Sequence, residues 1–153
     1  MRAGFVTLAA AFVAFPAAAY ENARFGYALE LPSGFGPVTE ADNGDGGRSL
    51  ADRGDAELLV WGAGLLASSF ARDVAARIKA DEAEGWDVSY RRDTRRWASW
   101  SGSKDGRIFY NRAIPLCDGA IGVFRLEYDR AAKTGYDATV TELVRNFRSA
   151  DCR

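Results

Sequence analysis

Hydrophobic and polar residues alternate most regularly between residues 95 and 128. Near the end of this stretch, Phe124, Leu126 and Tyr128 fall on one face of an extended chain, and the charged residues between them fall on the other. This alternation is typical of an antiparallel strand with one buried face and one more polar face. We therefore place this stretch at the centre of the predicted fold.

Two turns divide the stretch into three strands. Asp105-Gly106 and Asp118-Gly119 supply residue types that tolerate the positive φ angles of tight hairpins. Because consecutive strands usually pair with each other, the pattern predicts an antiparallel meander. Its strands are predicted at residues 97–102, 107–116 and 120–128.

Four further strands are predicted from short apolar or alternating runs. Pro32 ends the first run because proline cannot donate a hydrogen bond to a strand ladder. The second is a short edge strand between turns at residues 45–46 and 53–54, and Gly62 and Gly64 are expected to close the third. The four runs cover residues 24–31, 48–51, 57–61 and 86–91.

Apolar residues recur every three or four positions in two segments, which predicts two amphipathic helices. The first covers residues 68–84, with Ser68 or Ser69 as its cap and Gly85 as its stop. The second covers residues 137–147, with Asp137 as a candidate cap. The sequence thus predicts a single α+β domain, with two α-helices packed on a largely meander antiparallel sheet of six to seven strands.

The first nineteen residues differ in character from the rest. A basic residue is followed by an apolar run over residues 5–15, and Ala17 to Ala19 provide a small-residue cleavage site before Tyr20. This pattern predicts a secretory signal peptide at residues 1–19, with an uncleaved N-terminal anchor as the alternative. Residues 20–153 then form the mature domain, which we expect to be periplasmic or secreted and not inserted in the membrane.

Two cysteines lie in the predicted mature chain, Cys117 and Cys152. In an oxidising compartment, two cysteines most simply form one disulfide bond. A reactive thiol pair is the alternative, but it lacks the short spacing and cationic surroundings typical of one. We therefore predict a structural bridge between the end of the second meander strand and the C-terminal tail.

Charge and residue usage exclude several classes of function. Without Arg2, the predicted mature chain has 20 − 1 = 19 basic and 21 acidic residues, so it lacks the basic surplus expected of a nucleic-acid-binding protein. No histidine is present, which removes His-based triads and metal sites. No cofactor motif or EF-hand spacing is found either, so we predict no cofactor or metal, and a carboxylate-based hydrolase is the least favoured hypothesis.

A short run near the start of the predicted domain resembles a known fold family. Asn22-Ala23-Arg24-Phe25-Gly26-Tyr27, followed by Leu31-Pro32-Ser33-Gly34-Phe35, resembles the opening of small exported Gram-negative bacterial proteins of unknown function and the PsbP/Mog-type fold. The resemblance implies an antiparallel sheet sandwiched by helices. It also implies a binding or assembly factor, not an enzyme, and no catalytic residue carries over from it.

The best candidates for a binding surface are tryptophans and arginines near the first meander strand. Trp97 and Trp100 are three positions apart, so they should point to opposite faces, one in the core and one beside Arg95 and Arg96. An exposed tryptophan near arginines can stack on a sugar or grip a peptide, or it can simply cover a helix.

The same arginines belong to a dense cluster in the preceding turn. Four arginines fall between residues 91 and 96, where they could receive a carboxylate or phosphate. A solvated hairpin tip, with partners among Asp93 and nearby acids, is the simpler interpretation.

We predict that the protein is a non-catalytic binding or assembly module of the cell envelope. The alternative is a carrier that holds a small ligand in a pocket between the sheet and the helices.

Overall fold

The computed structural model describes residues 18–152, and these residues form ten strands and two α-helices. Two short 3₁₀ turns lie at Cys117–Gly119 and Arg130–Ala132. The strands are β1 Ala19–Asn22, β2 Tyr27–Glu30, β3 Thr39–Glu40, β4 Gly46–Leu50, β5 Ala56–Gly64, β6 Asp87–Asp93, β7 Ala98–Lys104, β8 Arg107–Pro115, β9 Ala120–Asp129 and β10 Arg148–Ser149. The helices are α1 Phe70–Ala83 and α2 Lys133–Asn146.

Seven strands form one antiparallel sheet in the order β3-β4-β5-β9-β8-β7-β6. The strands β6 to β9 follow one another as a meander, as predicted, and β5 pairs with β9 along nine residue pairs. The remaining strands form a small sheet in the order β1-β2-β10. This architecture confirms the predicted α+β class, its two helices and its single domain.

Each face of the large sheet carries its own hydrophobic core. On one face, the small sheet and α2 cover a first core that includes Leu29, Leu58, Phe124 and Leu143. On the other face, α1 covers a second core. Val74 and Ile78 of α1 pack there on Phe109, Ile121 and Val123. The large sheet is therefore the middle layer of the domain.

The prediction of one strand over residues 24–31 is wrong, because the chain turns at Phe25 and Gly26. The Asn22 side chain accepts a hydrogen bond from the Phe25 N–H at 3.0 Å, and Gly26 adopts a φ of +68°. A side chain that bonds to a backbone group a few residues later in this way favours a turn over a continued strand. The predicted apolar face survives in β2, where Tyr27 and Leu29 are buried.

The predicted edge strand at residues 48–51 is an interior strand. β4 begins at Gly46 and pairs with β5 on one side and with β3 on the other. The turn before it lies at Gly44, with a φ of +69°, and not at residues 45–46. The two-residue β3, which the sequence pattern did not predict, forms the edge.

The fifth strand ends at Gly64, the second of the two glycines expected to close it, and Gly62 lies inside the strand. A side chain at position 62 would overlap Phe25, since a Cβ built there lies 2.3 Å from Phe25 Cγ. The glycine therefore allows the β1–β2 turn to pack directly on the large sheet, and it does not act as a strand breaker.

Replacing Gly62 by alanine is expected to lower the free energy of unfolding by about 1–3 kcal/mol, because Phe25 must move to make room. Urea denaturation measures this change. Gly64→Ala is the matched control, because a Cβ at position 64 meets nothing within 4 Å. Equal effects of the two substitutions would show that backbone entropy, and not the contact with Phe25, decides the result.

Local capping sets the ends of α1, whereas tertiary packing sets the start of α2. As predicted, Ser69 caps α1 by accepting a hydrogen bond from the Arg72 N–H at 3.3 Å, and Gly85 follows its end with a φ of +91°. α2 starts earlier than its predicted cap, Asp137. Tyr136 of its first turns is buried against Tyr128, with 5.0 Å between ring centroids, so packing extends the helix.

The charged face of β9 is not the wetter face that its alternation suggests. Only 11% of the Arg125 side chain is exposed, and its guanidinium lies 4.0 Å from the Phe109 ring centroid. Its Nη1 pairs with Asp81 Oδ1 of α1 at 2.8 Å, and its Nε pairs with Glu127 at 2.7 Å. The helix therefore covers a charged pair as well as the apolar end of the sheet.

Cys117 and Cys152 form a disulfide bond, as predicted. Cys117 lies in the turn between β8 and β9, and Cys152 follows β10. The bond therefore fixes the third strand of the small sheet to the large sheet.

The predicted signal peptide lies almost entirely outside the described residues, so it stays a prediction. Ala19 and Tyr20, on either side of the predicted cleavage point, are the first residues of β1. Within residues 18–152, no helix is both long enough and apolar enough to cross a membrane.

Candidate binding face

A groove of about 510 Å³ separates α2 from the β6–β7 edge of the large sheet. It lies on the side of the first core, where the small sheet and α2 leave the outer strands uncovered. Tyrosines and serines line its floor, and charged residues of α2 form its far wall. Residues that line it include Tyr90, Ser101, Tyr110, Tyr128, Lys133 and Asp137.

A row of aromatic rings runs from the first core to the sheet edge. Phe124 is fully buried and stacks with Tyr110 at 6.3 Å between centroids, and Tyr110 stacks with Tyr90 at 6.4 Å. Burial raises the pKa of the Tyr110 hydroxyl, whereas Tyr90 is 43% exposed. The row thus ends on the surface with an aromatic side chain in a fixed position.

Trp97 and two arginines continue this surface. The Arg112 guanidinium lies 3.9 Å from the Trp97 ring centroid, and that of Arg92 lies 5.8 Å from it. Arg112 Nη1 also donates a hydrogen bond to Ser99 Oγ at 3.1 Å. We call the surface formed by Tyr90, Arg92, Trp97, Tyr110 and Arg112 the aromatic–arginine face.

Trp97 is held by the turn that precedes β7. Thr94 Oγ1 accepts hydrogen bonds from the backbone N–H groups of Arg96 and Trp97, both at 3.1 Å. Trp97 is half-buried and packs against the first core. Arg95 and Arg96 are exposed in the same turn, next to the aromatic–arginine face.

Trp100 lies on the opposite face of the sheet from Trp97. It is 1% exposed, belongs to the second core and donates from Nε1 to Asp81 Oδ2 at 2.7 Å. Of the two tryptophans singled out in the sequence, Trp97 alone can contact a partner. In the structure, Trp97 lies beside Arg92 and Arg112, and the sheet separates Trp97 from Trp100.

The arginine cluster of the turn is divided between the two faces. Arg91 pairs with Glu82 of α1 at 2.5 Å on the side of the second core. Arg92, Arg95 and Arg96 form no ion pair with any carboxylate of residues 18–152. All four arginines are exposed, as expected of a solvated hairpin tip, but among residues 18–152 only Arg91 has an acidic partner, and that partner is Glu82 and not Asp93.

Arg112, Tyr90 and Tyr110 were not singled out from the sequence, although a short repeat marks them. Tyr90-Arg91-Arg92 and Tyr110-Asn111-Arg112 both read Tyr-X-Arg. Because alternate residues of a strand share a face, each repeat places its tyrosine and its arginine on one side. Only the strand register shows that both repeats use the same side.

The most buried carboxylates lie away from this face and hold α1 in place. Asp73 accepts hydrogen bonds from the Leu66 N–H and from Arg77 Nε, both at 2.6 Å. Asp81 accepts from Trp100 and Arg125. The sequence-based alternative of a carboxylate hydrolase gains no support from either group, because both are engaged in structural contacts.

Comparison with family models and with curated proteins gave no match for this chain. Solved structures that share its architecture include the following two. The solution structure of cyanobacterial PsbP (CyanoP) from Synechocystis sp. PCC 6803 aligns with a TM-score of 0.63 and 13% identity, covering 92% of this chain and 97% of the other. The crystal structure of the Saccharomyces cerevisiae Ran-binding protein Mog1p aligns with a TM-score of 0.63 and 10% identity, covering 88% and 95%.

The chain has a PsbP/Mog-type fold. The resemblance found in residues 22–35 is thereby confirmed as a resemblance of fold. Identities of 13% and 10% carry no residue of a functional site from those proteins to this one. The residues of this chain that could bind a partner are therefore identified from its own aromatic–arginine face.

Proposed function

We propose that this protein is a non-catalytic binding module, exported to the cell envelope, which holds another protein through the aromatic–arginine face. The observation that carries the proposal is the combination, on one uncovered surface, of Trp97, two tyrosines and arginines that form no ion pair within residues 18–152. Tryptophan, tyrosine and arginine are the residues that most often dominate the energy of protein interfaces. Held in place by stacking, they lose little conformational entropy when a partner binds.

Two further observations support this proposal. One protein of the same fold is described as a Ran-binding protein, so the architecture can serve to bind another protein. A disulfide bond is typical of proteins in oxidising compartments, which agrees with the predicted export signal.

A small-ligand carrier is the second candidate. The groove lies between the sheet and α2, where the sequence-based hypothesis places a pocket, and its volume of about 510 Å³ falls in the range of ligand sites. Mass spectrometry of the native protein tests this candidate, since a carrier retains a ligand and a bare chain mass contradicts it.

Site-specific photocrosslinking in the source cells tests the binding module. A benzoylphenylalanine at position 90 is expected to crosslink one protein, whereas the same group at Ala71, on the exposed side of α1, is not. Equal products from both positions, or none from position 90, would overturn the proposal.

Trp97→Ala is expected to weaken partner binding about 30-fold, the effect of losing a hot-spot residue worth about 2 kcal/mol. Because Trp97 also packs against the first core, the variant must be checked by urea denaturation. Arg95→Gln with Arg96→Gln changes only exposed side chains and tests their predicted contribution without disturbing the fold. Unchanged affinity in a folded Trp97→Ala variant would exclude this face.

A further inference from the structure

The two Tyr-X-Arg repeats are arranged symmetrically about β7. Across the sheet, Tyr90 pairs with Ser101, which pairs with Tyr110. One step along, Arg92 pairs with Ser99, which pairs with Arg112. Since neighbouring strands lie about 4.8 Å apart, the backbones of the two arginines are separated by only about 10 Å. The register therefore places one arginine on each side of Ser99.

A partly buried arginine is usually paired with a carboxylate, but within residues 18–152 Arg112 is not. It is half-buried, and this desolvation lowers its pKa, yet no carboxylate of residues 18–152 pairs with it. A guanidinium has five N–H donors, and among the described residues Arg112 uses one, to Ser99 Oγ.

Arg125, on the other face of the same sheet, shows how this fold satisfies a comparable arginine. It stacks on Phe109 much as Arg112 stacks on Trp97, with guanidinium-to-centroid distances of 4.0 Å and 3.9 Å. Arg125, however, pairs with the carboxylates of Asp81 and Glu127. Within residues 18–152, the difference between the two arginines is that no carboxylate pairs with Arg112.

The charges around Arg112 favour an acidic ligand. Arg92, Arg95 and Arg96 lie nearby without an ion pair to any residue of 18–152, and Arg130 stands at the groove. Lys133 also lines the groove, but it is paired with Asp137 at 3.3 Å. The chain as a whole has a formal net charge of −1, so this concentration of arginines is a local feature and not a general basicity. A carboxylate matches the planar fork of a guanidinium and can accept two parallel hydrogen bonds from it.

We infer that the aromatic–arginine face binds an acidic segment of a partner protein, with a Glu or Asp carboxylate of that segment on Arg112 beside Trp97. The segment continues into the groove, where Tyr90 and Tyr110 provide flat contact surfaces. Ser101 Oγ, which donates its hydrogen to the Phe109 carbonyl at 2.6 Å, can accept a hydrogen bond from a backbone N–H of the segment. This inference rests on the proposed function, because it specifies what the binding module recognises.

A titration with two blocked peptides tests the inference on the full mature chain. The probes are hexaglutamate and hexaglutamine, and the signal is the indole N–H resonance of Trp97, assigned with Trp97→Phe. We expect hexaglutamate to shift this resonance saturably, more weakly as NaCl is added, and hexaglutamine not to shift it. Identical shifts with both peptides would overturn the role of charge.

Charge-matched variants locate the site. Arg112→Gln and Arg92→Gln are each expected to weaken hexaglutamate binding at least tenfold. Arg72→Gln, which removes the same charge from α1 on the opposite side of the sheet, is expected to have no effect. Arg92 is exposed, so its substitution remains informative if Arg112→Gln fails to fold. Equal weakening by Arg72→Gln would reduce the effect to net charge and overturn the site.

Two comparisons separate this inference from its alternatives. Inorganic phosphate that saturates the Trp97 shift at lower concentration than hexaglutamate would overturn the assignment of a carboxylate. Crosslinking from position 90 that persists unchanged in Arg112→Gln, without a hexaglutamate shift, would remove the acidic segment but leave the binding module. Hexaglutamate binding without any crosslinked protein would support an acid-binding site at Arg112 but would overturn the proposal of a protein partner.

Discussion

Replacing Arg125 by methionine is expected to lower the free energy of unfolding by about 3–5 kcal/mol, the cost of leaving a buried charge without its partner. Asp81 is only 13% exposed in its side chain, and it would lose its sole cationic partner among residues 18–152 while keeping the hydrogen bond from Trp100. Methionine preserves much of the apolar stem that packs near Trp86 and Phe109. Urea denaturation measures the change.

Arg91→Met is the matched control for this prediction. Arg91 also pairs with an acidic residue of α1, Glu82, on the same face of the sheet, but its side chain is 55% exposed. Exposed ion pairs contribute about 0–1 kcal/mol, so we expect a small effect. If both substitutions cost the same, burial of the Arg125–Asp81 pair has no energetic role. Adding Asp81→Leu to Arg125→Met should recover part of the loss, since it removes the stranded charge.

Replacing Cys117 and Cys152 by serine is expected to lower the free energy of unfolding by up to about 4 kcal/mol. The disulfide closes a loop with a sequence separation of 35 residues, and in the chain-entropy model this bond mainly restricts the unfolded chain. Urea denaturation of the oxidised protein, the reduced protein and the double variant measures the effect.

A reducing agent provides the control for the cysteine substitutions. It should destabilise the natural chain and leave the double serine variant unchanged. Hydrogen exchange should show the loss first in β10 and in the β2 amides paired with it, because the bond anchors that strand. Equal stability of oxidised and reduced protein would mean that the bond adds nothing beyond the packing of β10.

The meander and the disulfide could be predicted because their determinants are local or few. Asp-Gly turns and strict alternation specify β8 and β9 over short stretches, and two cysteines allow only one intramolecular pairing. The surroundings of Arg125 could not be predicted in this way. An arginine between apolar residues looks exposed in the sequence, and its partner Asp81 lies 44 positions earlier on a helix.

The candidate site was only half visible in the sequence for a related reason. Trp97, Arg95 and Arg96 are adjacent, so composition alone draws attention to them. Arg112 comes fifteen or more residues later on another strand, and only the register across Ser99 brings it to Trp97. Among residues 18–152, Arg112 has no carboxylate partner, and the absence of a contact cannot be recognised in a sequence.

The small sheet determines when the first core can be closed. β2 pairs with β10, and Glu30 contacts Arg148 across 118 positions of the chain. Contacts this distant in sequence form slowly, because a long loop must close before they stabilise anything. When the chain is synthesised from its N-terminus, the apolar side of β5, β8 and β9 therefore stays partly uncovered until residues 148–149 have been made. During that interval, this surface is the one that most needs protection from aggregation.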